Sequence, residues 1–155
     1  MTLALGRRAP FVHRLRVRYH ECDAQGVVFN ANYVAYFDVT LTELWREAFG
    51  SYAAMYDSGV DLVVAEIGLR YHAAAAFDDE IDVCLTITRL GVTGMTSSIE
   101  IRRGEDLLVA GFIRHVFVAV GTSEKVPIPD EVRASLAPWV VEDASDGHPR
   151  HGASA

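Results

Sequence analysis

Two hydrophobic periodicities divide the chain. Residues 11–19 alternate between apolar and polar positions with a period of two, which is typical of a strand with one apolar face. Between residues 33 and 49, apolar side chains recur at steps of three and four and so form one helical stripe. The pattern therefore predicts a first strand over 11–19 and one long helix over 33–49, with Gly50 as its stop.

Four more apolar segments with strand character follow the helix. They are residues 60–71, 81–88, 95–103 and 107–120, of which we expect the last to be the central strand. Short turn-like connections join the last three, so we expect consecutive antiparallel hairpins. The link at 72–80 fits either a helix or an extended crossing, and residues 130–136 have the composition of a short helix. The prediction is an α+β fold in which an antiparallel sheet of about five strands curls around the long helix.

Composition narrows the classes of protein to consider. The chain has 155 residues, half of them apolar, and a formal net charge of −7. This acidity argues against nucleic-acid binding, and no stretch approaches the ~20 apolar residues of a membrane span. We predict one domain over 10–140, a loose leader at 1–9 and a disordered tail at 141–155. With two cysteines and no signal-peptide pattern, we expect a reduced, cytoplasmic protein.

A polar turn between the first strand and the long helix carries the strongest candidate chemistry. Asp23 lies in this turn, and Gly26 allows a backbone conformation that a residue with a Cβ resists. Asn30 and Asn32 are favourable N-cap residues for the helix. A helix N-terminus presents unpaired N–H groups and a partial positive charge, so a carboxylate there suits attack on a polarised carbonyl. Asp23 also fits an ordinary turn residue, because aspartate is common in turns.

The other candidate site residues each have a purely structural interpretation as well. Asp38 lies beside the apolar stripe, where it is either a flank charge paired with Arg46 or a polar contact in an apolar substrate pocket. Cys22 adjoins Asp23, but no triad order supports a thiol nucleophile, and a packing role is favoured. The six histidines have no metal-binding spacing, so we predict no metal site.

Two further expectations concern the surface. Arginines from several predicted strands are either solubilising charge or a patch for a phosphorylated ligand. The sheet is apolar on both faces and has only one long helix to cover it. We therefore expect a homo-oligomer.

The turn and the start of the helix resemble a family signature. The run is Arg18-Tyr19-x-Glu21-x-Asp23-x-x-Gly26-Val27-Val28-x-Asn30-x-x-Tyr33-x-x-Tyr36. Supporting matches are Tyr71-x-x-x-Ala75-x-x-Asp78-Asp79-Glu80, His115-Val-Phe-Val118 and Pro127-Ile-Pro129-x-Glu131-Val-Arg133. Together they resemble the 4-hydroxybenzoyl-CoA thioesterase/YbgC-like branch of the hotdog superfamily.

This resemblance implies a hotdog fold, assembled as dimers or tetramers, that hydrolyses an acyl-CoA thioester to a carboxylic acid and CoA without a cofactor. Asp23 matches the family's catalytic aspartate. Asn30 matches the position whose backbone N–H binds the thioester carbonyl oxygen, although the aryl enzyme has an aromatic residue there. Asp38 matches a helix position that faces the ring hydroxyl in the 4-hydroxybenzoyl enzyme.

We accordingly expect the acyl group to lie along the apolar helix face at a subunit boundary. Residues expected to line this site are Gly26, Val28, Phe29, Tyr33, Phe37, Asp38 and Val64. The CoA phosphates are expected at Arg89, Arg102 and Arg103. Asp23 either attacks the carbonyl to form a mixed anhydride or activates a water as general base. Two alternatives stay open: a thioesterase acting on acyl carrier protein, and a hotdog module that binds acyl-CoA without turnover, against which Asp23 argues.

Overall fold

The computed structural model describes residues 9–141. The segments with a period of two form a sheet layer, and the segment with the helical period forms a helix layer. The strands are β1 Phe11–Arg16, β2 Val60–Tyr71, β3 Glu80–Leu90, β4 Gly94–Arg103 and β5 Asp106–Ala119. The helices are α1 Asn32–Phe49, α2 Tyr52–Asp57 and α3 Asp130–Leu136, with 3₁₀ turns at Tyr19–Glu21 and Ala137–Trp139. Residues 1–8 and 142–155, on which most of the predicted leader and tail fall, lie outside the described residues.

The strands form one antiparallel sheet in the order β1-β3-β4-β5-β2. The predicted hairpins β3–β4 and β4–β5 are confirmed. β2 precedes them in the chain but pairs with β5 on the far side, from Val60 opposite Ala119 to Tyr71 opposite Val109. β5 is therefore an interior strand, but β4 is the middle one, because β2 adds only one strand beyond β5. The sheet edges are β1 and β2.

The first strand is shorter than the sequence pattern predicts, and the link at 72–80 adopts one of the two conformations that the sequence allowed. β1 ends at Arg16 although the alternation continues to residue 19, because the Arg18 N–H donates to the Glu21 carboxylate at 2.9 Å and the chain turns there. The link at 72–80 is an extended crossing. Apart from one turn, in which the Asp79 N–H donates to Ala76 O at 3.1 Å, its backbone groups bond to other segments, as when the Val28 N–H donates to Ala75 O at 2.8 Å, so no helix forms there.

The core lies between α1 and the concave face of the sheet. From the helix, Phe37, Leu44 and Trp45 are fully buried. From β3, the alternating positions Ile81, Val83, Leu85 and Ile87 are buried in the same cluster. Burying one such side chain contributes about 1.5–3 kcal/mol. The α+β prediction, a long helix wrapped by a curled five-stranded sheet, is confirmed.

The helix leaves the β2 side of the concave face uncovered. Val64 and Ile67 of β2 stand opposite the buried His115 and Ile113 of β5, so all four lie on the helix-facing side. Yet Val64 is 59% exposed and Ile67 is 37% exposed. We call the gap between this part of β2 and helix α1 the α1–β2 cleft.

A helix that crosses a bilayer needs about 20 consecutive apolar residues. None of the helices within residues 9–141 is both long and apolar enough to cross a membrane.

We expect Gly111→Ala to destabilise the fold. An added Cβ at Gly111 would overlap the carbonyl oxygen of Gly68 on β2, and a backbone atom cannot move aside cheaply. Overpacking of this kind costs about 1–3 kcal/mol, which urea unfolding would measure. Gly94→Ala is the matched control, because its added Cβ would meet His115 O at an ordinary 3.5 Å. Equal stabilities of the two variants would contradict this account of the β2–β5 contact.

Candidate active site

The segment that carries Asp23 is a closed turn. A bridge between Cys22 and Val28 joins its two ends, and we call residues 22–28 the Asp23 loop. Inside it, the Asp23 N–H donates to Val27 O at 2.8 Å and the Gly26 N–H donates to Asp23 O at 3.0 Å. Gly26 has a φ of 79°, the left-handed region where a side chain is unfavourable. These bonds hold Asp23 in one position just ahead of α1.

The Asp23 carboxylate has one oxygen engaged and one open. Its Oδ1 accepts a hydrogen bond from the Gln25 N–H at 2.8 Å, which orients the group. Its Oδ2 accepts no hydrogen bond and meets no cation among residues 9–141. The side chain is partly exposed. An oriented carboxylate with a free oxygen is suited to act as a base or as a nucleophile.

Helix α1 begins without a side-chain cap. Ala31 occupies the N-cap position, and neither Asn30 nor Asn32 caps the helix, so that prediction is wrong. The Asn32 amide instead donates to Glu21 O at 2.7 Å. The carbonyl of Asn30 accepts from the Tyr71 hydroxyl at 3.1 Å. Both asparagines thus connect the helix start to neighbouring segments.

An open backbone amide lies just before the helix. Within residues 9–141, the backbone N–H of Asn30 has no hydrogen-bond acceptor. It lies in the turn before α1, where the helix dipole favours negative charge. Cys22, one residue before Asp23, forms a bridge with Val28, which lies two residues before Asn30. The free carboxylate oxygen and the open amide therefore belong to one compact segment.

Glu21 fastens this segment to the helix, a role that the sequence pattern did not reveal. Its Oε2 accepts from the Tyr36 hydroxyl at 2.6 Å, and its backbone oxygen accepts from the Phe29 N–H at 2.9 Å. Burial, together with the Glu21 carboxylate, raises the pKa of Tyr36, so its hydroxyl stays a donor. Glu21 and Tyr36 lie fifteen residues apart, and only the fold shows that they meet.

The crossing segment supports the loop from the other side. The Val28 N–H donates to Ala75 O at 2.8 Å, and the Ala75 N–H donates to the Tyr33 hydroxyl at 3.0 Å. Val28 and Tyr33, which the sequence predicted to line the substrate site, are both buried. Their side chains hold the Asp23 loop against the core.

The other predicted lining residues divide by exposure. Phe37 is fully buried in the core and reaches no surface of the isolated chain. Phe29 is 49% exposed, Gly26 lies at the exposed tip of the loop, and Val64 opens onto the α1–β2 cleft. Three of these positions are thus accessible to a ligand.

Asp38 is exposed on α1, and the ion pair considered for it does not form. Arg46 pairs with Glu43 instead, at 3.1 Å. The charge of Asp38 acts on groups of other elements. Burial, a hydrogen bond to a neighbouring carboxylate and, more weakly, Asp38 raise the pKa of Tyr52 on α2. Asp38 also opposes the effect of burial on His115 of β5. It therefore lies on the flank of α1 that faces these elements.

The structure does not gather the three predicted arginines into one patch. Arg103 already pairs with Asp79 at 2.7 Å, and Arg102 pairs with a glutamate of its own strand at 2.9 Å. Arg102 stands opposite Asp82 near the start of β3. Arg89 lies seven residues further along β3, roughly 20 Å away at the rise of a strand.

Within residues 9–141, the cysteines and histidines form no metal-binding group. No three His, Cys, Asp or Glu side chains in the described part of the chain are placed to hold a metal ion together. The Cys22 thiol contacts Arg18 O at 3.8 Å. Burial raises the pKa of the Cys84 thiol, which disfavours the thiolate.

A separate groove of about 720 Å³ lies on the opposite flank of α1, beside β1. Its lining residues are His13, Arg14, Leu15, Arg16, Val17, Arg18, Tyr19, Glu21, Tyr36, Val39, Phe77 and Asp78. Neither Asp23 nor Asn30 lines it, so the groove is distinct from the candidate active site.

The fold and the site together define a class of protein. A long helix wrapped by a curled antiparallel sheet is the hotdog arrangement, and here a free carboxylate oxygen and an open amide belong to the segment just before the helix. The model of the thioesterase superfamily matches residues 25–110, more than half of the chain. The chain belongs to this superfamily and is a hydrolase that acts on thioesters.

Individual relatives agree with this assignment. The acyl-CoA thioesterase YbgC of Haemophilus influenzae is 30% identical over 129 residues, which cover 81% of this chain and 93% of that protein. The acyl-CoA thioester hydrolase YbgC of Escherichia coli is 33% identical over 95 residues, 61% of this chain and 71% of its own. The crystal structure of a hypothetical protein from Aquifex aeolicus is similar with a TM-score of 0.77 at 31% identity, covering 82% of this chain and 99% of that one.

We expect Tyr36→Phe to loosen the Asp23 loop. The variant keeps the buried ring but removes the donor to Glu21, a hydrogen bond to a charged group worth about 1–2 kcal/mol at a partly buried site. Urea unfolding would measure this loss. Tyr56→Phe on α2 is the matched control, since its hydroxyl is exposed and makes no hydrogen bond within residues 9–141. If both variants were as stable as the unmodified protein, the Tyr36–Glu21 hydrogen bond would not stabilise the contact between the Asp23 loop and α1.

Proposed function

We propose that this thioester hydrolase cleaves acyl-CoA, with Asp23 as the catalytic carboxylate and the backbone N–H of Asn30 as the donor to the carbonyl oxygen. The observation that carries the proposal is the presence of a free Asp23 Oδ2 in the closed Asp23 loop and of an open Asn30 amide two residues after that loop. The names of the YbgC relatives support acyl-CoA as the substrate.

In this mechanism the thioester carbonyl oxygen binds the Asn30 N–H at the positive end of α1. Negative charge that develops on this oxygen is stabilised there more than in the ground state, which lowers the barrier. In one route, Asp23 Oδ2 attacks the carbonyl carbon, the C–S bond breaks, and water then hydrolyses the mixed anhydride. In the other, Asp23 removes a proton from the attacking water and that proton passes to the departing thiolate. Both routes use only the chain's own groups and water.

Asp23→Asn should lower kcat by at least ~100-fold, because activation of water alone is worth ~10²–10⁴ in rate. Thiol release from acyl-CoA measures this directly, and Asp57→Asn on exposed α2 serves as the control. Hydrolysis by Asp23→Asn at the unmodified rate would remove Asp23 from the mechanism. Single-turnover hydrolysis in ¹⁸O water separates the routes, since label in Asp23 arises only through the anhydride.

The same assay distinguishes the other activities that fit the fold. A panel of acyl-CoA and acyl-carrier-protein thioesters shows which carrier the enzyme accepts. Binding of acyl-CoA without thiol release from any member would favour a binding module over an enzyme. For CoA, Arg89, Arg102 and Arg103 stay the predicted phosphate contacts, and Arg102 and Arg103 would each have to exchange a present carboxylate partner. The cytoplasmic location expected from the sequence also stays a prediction.

The proposed enzyme assembles through β2. This strand is twelve residues long, forms one edge of the sheet, and has apolar side chains that are exposed. They are Val63, Val64, Ile67 and Tyr71. A long apolar edge readily pairs with another strand. Pairing with β2 of a second copy would extend the sheet and place the partner next to the α1–β2 cleft.

Ile67→Asp should weaken this assembly, because it places a charge among the apolar side chains of the pairing edge. Analytical ultracentrifugation would show a shift toward monomer. Val92→Asp is the control: Val92 is 72% exposed and lies in the β3–β4 turn, far from the β2 edge. If the unsubstituted protein were monomeric at micromolar concentration, the proposed assembly would be contradicted.

A further inference from the structure

Two exposed aromatic rings lie together at one end of the groove beside β1. Tyr19 is 81% exposed and Phe77 is 54% exposed, and their rings meet edge to face with 5.7 Å between the centroids. Both side chains line the groove. Adjacent apolar side chains that are exposed on a surface often mark a site for an apolar group of a ligand. We call Tyr19 and Phe77 the aromatic pair.

One arginine beside the aromatic pair is free. Arg14 and Arg16 line the same groove, but they pair with carboxylates of β3 at 2.7 and 3.1 Å. The carboxylates in the lining, those of Glu21 and Asp78, are also engaged, by a tyrosine hydroxyl at 2.6 Å and an arginine at 3.5 Å. Arg18 is exposed, lines the groove and forms no ion pair within residues 9–141. A free guanidinium suits a phosphate group, to which it donates two parallel hydrogen bonds.

The Asp23 loop connects this end of the groove to the candidate active site. The Asp23 N–H donates to Val27 O at 2.8 Å, and Val27 forms a bridge with Ala76, the residue before Phe77. Each of these contacts joins neighbouring chain segments at about the spacing of paired strands. Two such spacings place the backbone of Phe77 roughly 10 Å from that of Asp23.

The start of α1 lies between the groove and strand β2. On one side, Asn30 O accepts from the hydroxyl of Tyr71, the last residue of β2, at 3.1 Å. On the other side, the Asn32 amide donates at 2.7 Å to the backbone oxygen of Glu21, which lines the groove. With the thioester carbonyl at the Asn30 N–H and the acyl group on the β2 side, the sulfur and the carrier attached to it extend toward the groove.

We infer that this end of the groove binds the pantetheine arm and diphosphate of CoA. The aromatic pair contacts the two methyl groups of pantetheine, and Arg18 contacts the diphosphate. The inference rests on the function proposed above and adds the residues that hold the carrier. Ten bonds separate the thioester sulfur from the carbon that bears the two methyl groups, an extended reach of roughly 12 Å.

That reach matches the separation of Asp23 and Phe77. The diphosphate follows directly after this carbon, as Arg18 directly precedes Tyr19 in the chain. The 3′-phosphate of CoA is left to the arginines predicted from the sequence. The free guanidinium and the aromatic pair thus correspond in order to the charged and apolar parts of one carrier.

The test places one acyl group on carriers of increasing length: N-acetylcysteamine, pantetheine, 4′-phosphopantetheine and CoA. Phe77→Ala should lower kcat/KM about 5-fold for the pantetheine thioester and the longer ones, and leave the N-acetylcysteamine thioester unchanged, because that carrier lacks the two methyl groups. Arg18→Gln should raise KM at least ~10-fold for the two phosphorylated carriers and leave pantetheine unchanged.

Two control variants should leave all the thioesters unchanged. Tyr56→Ala removes an exposed ring on α2. Lys125→Gln removes an exposed cation that forms no ion pair within residues 9–141. Unchanged hydrolysis of the N-acetylcysteamine thioester shows that each variant is folded.

A loss of equal size on every carrier, or no loss on any, would overturn the inference while thioester hydrolysis stands. If the unmodified protein hydrolyses none of the thioesters, the proposed reaction fails and binding of a non-hydrolysable CoA thioether decides the inference. Weaker binding by Arg18→Gln than by the unmodified protein would support it. Equal binding by the two proteins, or no binding by either, would refute it.

Discussion

The organising constraint is that a single helix has to cover the concave face of a five-stranded sheet. The eighteen residues of α1 bury the inner positions of β3 and β4 completely but leave β2 open. This shortfall creates a cleft lined by Val64 and Ile67. It also leaves an apolar strand at the edge of the sheet. In the proposed function, this uncovered flank is both the space for the acyl group and the surface for a second copy.

The candidate site is positioned by hydrogen bonds more than by burial. In the proposed mechanism Asp23 has to be accessible to react, so it cannot be fixed by packing in the core. Instead the Cys22–Val28 bridge closes its loop, and Glu21 connects that loop to the start of α1. Each of these bonds is worth only about 1–2 kcal/mol, but together they hold the Asp23 loop and the start of α1 in one arrangement.

Three features that the local sequence pattern did not reveal share a cause. Asn32 has the side chain of a helix cap, yet its amide donates to Glu21 O, which the fold brings within reach. The alternation through residue 19 continues past the end of β1, because the Glu21 carboxylate turns the chain at Arg18. Arg89 and Arg102 lie only thirteen positions apart, but the β3–β4 hairpin separates their side chains along the strands. In each case a longer-range contact overrides local preference.

The sequence by itself determined the helix, the strands and the class of fold, because periodicity reflects which side of an element is buried. It also singled out Asp23, since a carboxylate shortly before a helix start is a local feature. Tertiary structure alone decided which Asp23 oxygen is free, that the Asn30 amide is open, and that Tyr36 meets Glu21. It likewise decided that Arg18 has no ion pair within residues 9–141. These facts depend on contacts between segments distant in the chain, and hydrogen-bond satisfaction is a property of the assembled neighbourhood rather than of any single residue.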